Sequence, residues 1–164
     1  MSNYFIYADP HYYHENIIKH EYRPFKTAND MNRCLIDNHN ETISKRDRVF
    51  ILGDFSLGNK EQTKNIVQQL NGYLILIMGN HDRNRSRKWF LDCGFNEVIK
   101  YPVIINDNII LSHEPIDNIE GTLFRNIHGH IHGRHLSVPP YINVGLDVTQ
   151  YKPCSLDNII GSIV

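Results

Sequence analysis

The chain has little from which to build a covalent framework. Its three cysteines, Cys34, Cys93 and Cys154, lie far apart, and no Cys-x-x-Cys pair occurs. That spacing argues against a disulfide scaffold and against a cysteine zinc site; reduced thiols in a cytoplasmic protein are the expectation. Long apolar runs are missing as well, so no bilayer-spanning helix is expected. The opening Met-Ser-Asn-Tyr-Phe-Ile-Tyr lacks the basic region of a secretion signal and leads into Asp9 and His11. Neither sign of charge dominates. The formal net charge of -1 supplies no global field toward nucleic acid or anionic membrane, so neither membrane association nor stable nucleic-acid binding is expected. Repeats, low-complexity tracts and linkers are also absent. The 164 residues therefore read as one domain, 1–164, long enough to bury a real core.

What is present is a regular alternation in the first half. Residues 4–8 read as a buried strand, 29–44 as a helix, 47–52 as a strand, 59–70 as a helix stopped by Asn71-Gly72, 73–78 as an apolar strand, and 85–93 as a helix capped by Gly94. The second half is mostly strand. Runs at 97–105 and 108–111, separated by Asn106-Asp107, suggest a hairpin. Short strands are expected at 125–128, 141–144 and 159–164. An α/β fold with two facing mixed β-sheets and helices outside suits this pattern.

Ten histidines are present, and five of them fall in six short polar islands, each preceded by an apolar run. The islands are Asp9-Pro10-His11, Gly53-Asp54, Gly79-Asn80-His81-Asp82, Ser112-His113-Glu114, Gly129-His130-Ile131-His132 and Asn143-Val144-Gly145. In open α/β sheets the crevice lies beyond the carboxyl ends of the strands, so residues distant in sequence can converge there. Mixed Asp and His donors suit borderline divalent ions rather than Ca²⁺. A pair of ions needs a bridging ligand, and Asp54 is the natural carboxylate. A bend at Pro10 would let Asp9 and His11 face one ion. His130 and His132 repeat that spacing, and their side chains are expected on the same side of a strand or loop. Gly53, Gly79 and Gly129 would let the backbone approach without a Cβ clash.

The ordered series Asp9-x-His11, Gly53-Asp54, Gly79-Asn80-His81-Asp82, His113 and Gly129-His130-x-His132 resembles the calcineurin-like metallophosphoesterase superfamily, from residue 9 to about residue 147. The Tyr-Tyr-His-Glu-Asn-Ile-Ile and Asp-Val-Thr-Gln-Tyr-Lys-Pro segments are similar to those of its small single-domain bacterial and phage members. Ala8 departs from the usual Ser or Thr before the first Asp. The resemblance implies a four-layer αββα sandwich and two divalent ions, Mn²⁺ foremost, with Fe, Zn or Ni as alternatives. It implies one ion held by Asp9, His11, Asp54 and His132, and a second by Asp54, Asn80, His113 and His130. His81 is then the catalytic acid and Asp82 the residue orienting its imidazole.

What this implies is a metal-dependent phosphoric ester hydrolase in which a metal-bridging hydroxide attacks phosphorus. Only sixteen residues separate His113 from His130, which leaves no room for a cap domain and suggests an open site. That favours a small phosphodiester or nucleotide; a phosphomonoester or the exposed ends of nucleic acid are the alternatives. A metal-binding module without catalysis, and a nucleic-acid binder using the arginines after Asp82, are the readings from other classes. The His81-Asp82 pair argues against the first and the net charge against the second.

Outside the islands the signals are weaker. Arg83 and His14 are candidate substrate contacts, each weighed against a solvated surface position. Arg85, Arg87 and Lys88 read as a solvated helix face. Tyr12 and Tyr13 suit packing better than base stacking. Asn143 and Asp147 are candidate supports for the ligand shell. His128 and His135 read as incidental, and Arg23, Asn38 and His39 carry no signal that assigns a role.

Overall fold

Nearly every residue of the strands at 48–52 and 73–77 is apolar and buried, which is what a sheet covered on both faces demands. The computed structural model describes residues 2–134 and 139–162. In chain order the first half contains β1 (Tyr4–Tyr7), α1 (Glu15–His20), α2 (Ala28–Thr42), β2 (Arg48–Leu52), α3 (Lys60–Gln69), β3 (Tyr73–Ile77) and α4 (Arg87–Cys93). There follow β4 (Glu97–Ile99), β5 (Val103–Ile105), β6 (Ile109–Leu111), β7 (Arg125–His128), β8 (Tyr141–Asn143), β9 (Cys154–Ser155) and α5 (Leu156–Gly161).

These strands make two mixed sheets flanked by helices. The first has the order β4-β3-β2-β1-β9, parallel except for β9; the second has the order β5-β6-β7-β8, parallel except for the β5–β6 hairpin. Alternation along β1, β2 and β3 divides the core. Tyr7, Val49, Ile51, Leu74 and Leu76 pack with Met31 and Leu35 of α2, Ile66 of α3 and Phe90 of α4. Ile6, Phe50, Leu52, Ile75 and Ile77 point the other way and meet Ile109, Leu111 and Ile127 of the second sheet and Val144 just past β8. The two sheets therefore face each other, and the carboxyl ends of β1, β2, β3, β6 and β7 share one rim.

Local signals set the helix boundaries. Asn59 and Gln62 form a reciprocal capping box before α3, and Thr27 accepts from the Asp30 amide before α2. Ser86 caps α4, so that helix starts two residues later than the expected 85; a 3₁₀ turn over Asp82–Asn84 precedes it. Gly94 ends it at φ +115°, as expected.

Two expectations are corrected. Residues 97–105 are not one hairpin arm. They divide into β4 of the first sheet and β5 of the second, because Pro102 has no N–H to continue a ladder. The expected strand at 159–164 is helix as far as Gly161, and residues 163–164 lie outside the described ones. Leu156, Ile159 and Ile160 repeat at helical spacing and pack between the sheets, while Ser155 caps the turn by accepting from the Asn158 amide. The short α1 and β9 had no counterpart in the sequence pattern.

The outer face of the second sheet is covered by the chain that follows His113. The buried Asn126 accepts from the Ile116 amide at 2.8 Å and donates to the Ile110 carbonyl at 3.1 Å and Ser112 Oγ at 2.8 Å. Tyr141 adds a bond from its hydroxyl to the Ile116 carbonyl at 2.8 Å. This lacing fixes the start of the loop and, with it, His113. Among the described residues no helix is long and apolar enough to cross a membrane.

Candidate metal centre

All seven residues expected to hold metal come together at the shared rim. Two groups form: Asp9 with His11 and His132, and Asp54 with His113 and His130. Asn80 joins the second group. Its Oδ1 lies 2.8 Å from His113 Nε2 and 2.9 Å from His130 Nδ1, and these two nitrogens are 3.1 Å apart. Donors bound at about 2.0–2.2 Å to one ion sit about 3 Å from each other, so these separations fit a common cation.

Asp54 stands between the groups. Its Oδ2 is 3.4 Å from His113 Nε2 and 3.6 Å from His11 Nε2. His11 Nε2 is in turn 3.9 Å from Asp9 Oδ1. Both Asp9 Oδ1 and His11 Nε2 are buried and have no hydrogen-bond partner among the described residues. Two orphaned polar atoms facing one another are costly in a closed site, and a shared cation would satisfy both. The donor chemistry thus fits divalent ions. Burial, opposed by His132 and reinforced by Asp54, pushes the Asp9 carboxyl up to about 8. Burial also holds His11 well below its usual range, and His113 below it, keeping both neutral as ligands must be.

A backing layer sets which nitrogen each ring presents. The Leu52 carbonyl can only accept, so His113 Nδ1, 2.8 Å away, carries the proton and Nε2 keeps its lone pair for the centre. His132 Nδ1 is 3.0 Å from Asp147 Oδ2, leaving its Nε2 available. Asp147 also receives Arg23 through Nε and Nη2, both at 2.8 Å. Arg23 is buried and donates further to the Asp9 carbonyl at 2.8 Å and the Pro10 carbonyl at 3.1 Å. Burial raises the Asp147 carboxyl, but the bonds from His132 and Arg23 outweigh it and keep the group below the usual carboxylate range. Nothing in the local sequence marks Arg23, because its partner lies 124 residues downstream.

His14 is brought to the site, but behind a candidate ligand: its Nδ1 is 3.2 Å from His11 Nδ1. His81 is not in either ligand group. Its ring stands at the mouth, 46% exposed, with Nε2 3.9 Å from Asp54 Oδ2. The expectation that Asp82 orients this imidazole is corrected. Asp82 is buried, and its carboxylate accepts from the backbone amides of Asp54 at 2.8 Å, Gly79 at 2.9 Å and Phe55 at 3.2 Å. It staples together the two loops that carry Asp54 and Asn80. Burial, against the pull of the Gly79 amide, pushes its carboxyl up to about 7.

Backbone strain concentrates here. Among the described residues twelve non-glycine residues have positive φ, and Asp9, His11, Asp54, His130 and His132 are five of them. Each such residue costs about 1 kcal/mol or more and persists where the surroundings dictate it. The left-handed turns at His130 and His132 also correct an expectation: they twist the segment so that the two rings enter different groups instead of lining one side. Gly129 is required by a close approach, since a Cβ there would collide with the Ala8 Cβ and Asp9 Oδ2. Gly53, at φ +80°, leaves no space for a side chain beside Gly79 and His113 Nδ1.

The remaining candidates divide cleanly. Arg83 pairs with Glu114 at 2.9 Å on the rim. Asn143 supports the ligand loop, donating to the His132 carbonyl at 2.7 Å. Tyr12 is a core residue against Phe55. Tyr13 is half-buried, with its amide bonded to Asn32 Oδ1 at 3.0 Å. His128 is buried on β7, and Asn38 and His39 make structural bonds from α2. Arg85 is bonded to the Ser56 and Gly58 carbonyls, not left on a solvated face. His135 lies outside the described residues. A cleft of about 480 Å³ opens at the other end of the strands, between Arg48, Phe50, Glu97 and Ile160, and contains none of the candidate ligands.

No family model matches the chain. It is 34% identical over 173 residues to the uncharacterized protein MJ1445 of Methanocaldococcus jannaschii, a match covering 98% of this chain and 90% of that protein. The chain belongs to the same family as that archaeal protein. A crystal structure of AQ665 from Aquifex aeolicus, a protein of unknown function, superposes with a TM-score of 0.78 at 25% identity, covering the whole of both chains.

Proposed function

We propose that this chain is a phosphoesterase working with two divalent cations and related in architecture to the calcineurin-like metallophosphoesterases. On this reading the αββα frame has its outermost layer reduced to the loop after His113. The observation that carries the proposal is Asp54 Oδ2, one carboxylate oxygen facing both ligand groups at 3.4 and 3.6 Å.

One cation would be held by Asp9, His11, Asp54 and His132, the other by Asp54, Asn80, His113 and His130. When bound, such a pair supplies Lewis acidity toward phosphoryl oxygens and an activated water near neutral pH. The chain's own residues do the rest. His81, exposed at the mouth, can hold a proton at Nε2 and deliver it to the departing oxygen. Its backbone amide donates to Asp54 Oδ1 at 2.9 Å, so the acid and the shared carboxylate keep a fixed relation. Asp82 fastens the two loops that carry Asp54 and Asn80. Between His113 and His130 the chain forms only a loop and β7, so the mouth stays open to a small phosphodiester or nucleotide.

The test is turnover of bis(4-nitrophenyl) phosphate by purified protein with Mn²⁺, Ni²⁺, Zn²⁺ or Fe²⁺. Hydrolysis that chelation abolishes and Mn²⁺ restores is expected, with Asp54→Ala inactive. Absence of turnover of this ester and of phosphomonoesters with every metal would overturn the proposal.

A further inference from the structure

We infer that the groove beside His113, walled by Met78, Arg83, Lys100, Tyr101 and Glu114, is a subsite for a nucleoside base, so that the substrate is a nucleotide. This rests on the phosphoesterase reading and extends it from the phosphorus to the group esterified to it.

Placement comes first. A cleft of about 220 Å³ runs from His113 and Glu114 to Lys100 and Tyr101. A second, of about 230 Å³, continues from it and shares Met78, Arg83, Lys100 and Tyr101. His113 is at once a candidate ligand and a wall of the groove. The ester group of a phosphate at the centre would therefore have this space beside it, on the far side of His113.

The chemistry of the walls narrows the occupant. Tyr101 sits on the crossing from β4 to β5, and 75% of it is exposed. It is a large aromatic surface with no partner ring among the described residues, beside a polar centre. The charges around it are unequal. Arg85 is committed to the Ser56 and Gly58 carbonyls, each at 2.7 Å, and lies over the Trp89 ring. Arg83 neutralises Glu114. Lys100 has no ion-pair partner among the described residues, so the groove presents one uncompensated cation next to an open π face. A sugar phosphate would offer the cation only hydroxyls and leave the ring bare. An apolar ester would use the ring and leave the cation unanswered. A nucleotide uses both while its phosphate stays at the centre: the base stacks on Tyr101 and offers acceptor atoms to the Lys100 ammonium.

The test is calorimetric titration of the Mn²⁺-loaded protein with AMP and with ribose 5-phosphate, which differ only in the base. AMP is expected to bind about tenfold more tightly, within the range for one base stacked on an aromatic side chain. Tyr101→Ala is expected to reduce AMP to the affinity of ribose 5-phosphate with unchanged metal content, and Tyr101→Phe to retain the preference. Equal binding of the two ligands by the wild-type protein, or a preference that survives Tyr101→Ala, would overturn the subsite. Parallel assay of bis(4-nitrophenyl) phosphate separates the two claims. Turnover without a preference for AMP would refute the subsite alone, whereas a Tyr101-dependent preference without any turnover would refute the hydrolase and leave a nucleotide-binding site.

Discussion

Asp147 receives two partners on one carboxylate: His132 at 3.0 Å on Oδ2, and Arg23 through bonds of 2.8 Å to each oxygen. The buried Arg23 also holds the Asp9 and Pro10 carbonyls. One guanidinium therefore ties the loop after β1 to the segment after β8, and Asp147 passes that rigidity to a candidate ligand. Outer-shell partners of this kind are typically worth 10–100-fold in metal affinity. Asp147→Asn is expected to weaken Mn²⁺ binding by about that factor, read by calorimetric titration. Removing Arg23 leaves Asp147 buried without its full partner, so Arg23→Ala should cost about 3–5 kcal/mol of stability, read by denaturant unfolding.

Gly129 offers a steric test. A methyl group there meets Ala8 and Asp9 Oδ2, both in the floor of the centre. Gly129→Ala is expected to cost about 1–3 kcal/mol through overpacking and to reduce the bound metal, because the Asp9 carboxylate must move. Metal content and the unfolding midpoint measure both effects.

The division of what the sequence revealed follows sequence separation. Each polar island is local, and its glycine, aspartate and histidine types are visible at once, so the candidate ligands could be named from the islands together with the family resemblance. The buried apolar strands were legible for the same reason. Arg23 was not, and Asp147 was legible only as a candidate support without a partner, since only the fold joins the two. The twist that sends His130 and His132 to different groups depends on two left-handed residues, which spacing alone does not reveal. The stripe Leu156, Ile159, Ile160 was too short for its period to be distinguished from a strand. Asp82 was assigned to the neighbouring imidazole by resemblance, whereas its carboxylate is taken up by three backbone amides.

His39 gives the protein an acid-sensitive core. It is buried on α2, its Nε2 donating to the Asn71 carbonyl at 2.8 Å while Nδ1 accepts from the Tyr7 hydroxyl at 3.2 Å. Burial, partly offset by the Asn71 bond, lowers its pKa to about 4. The unfolded chain holds this proton from about pH 6.5 downward, so below that value protonation favours unfolding. The contribution is complete above pH 6.5 and is lost as pH falls through about 4, amounting to about 3 kcal/mol. Urea unfolding between pH 7 and 4 reads this as a difference: wild type should lose more stability on acidification than His39→Gln, because the other buried groups titrate in both.

His81 separates chemistry from metal loading. His81→Ala should keep its cations and lose about 10²–10⁴-fold in turnover, most for esters with poor leaving groups. A Brønsted plot of aryl phosphodiesters in wild type and variant reads this; equal slopes would remove His81 from the acid role.

The central claim is that two cations sit on either side of Asp54. Anomalous scattering from Mn²⁺-soaked crystals tests it most directly. Two peaks are expected about 3.5–4 Å apart, one among Asp9, His11 and His132 and the other among Asn80, His113 and His130, with Asp54 touching both. A single peak, or peaks away from Asp54, would contradict the account.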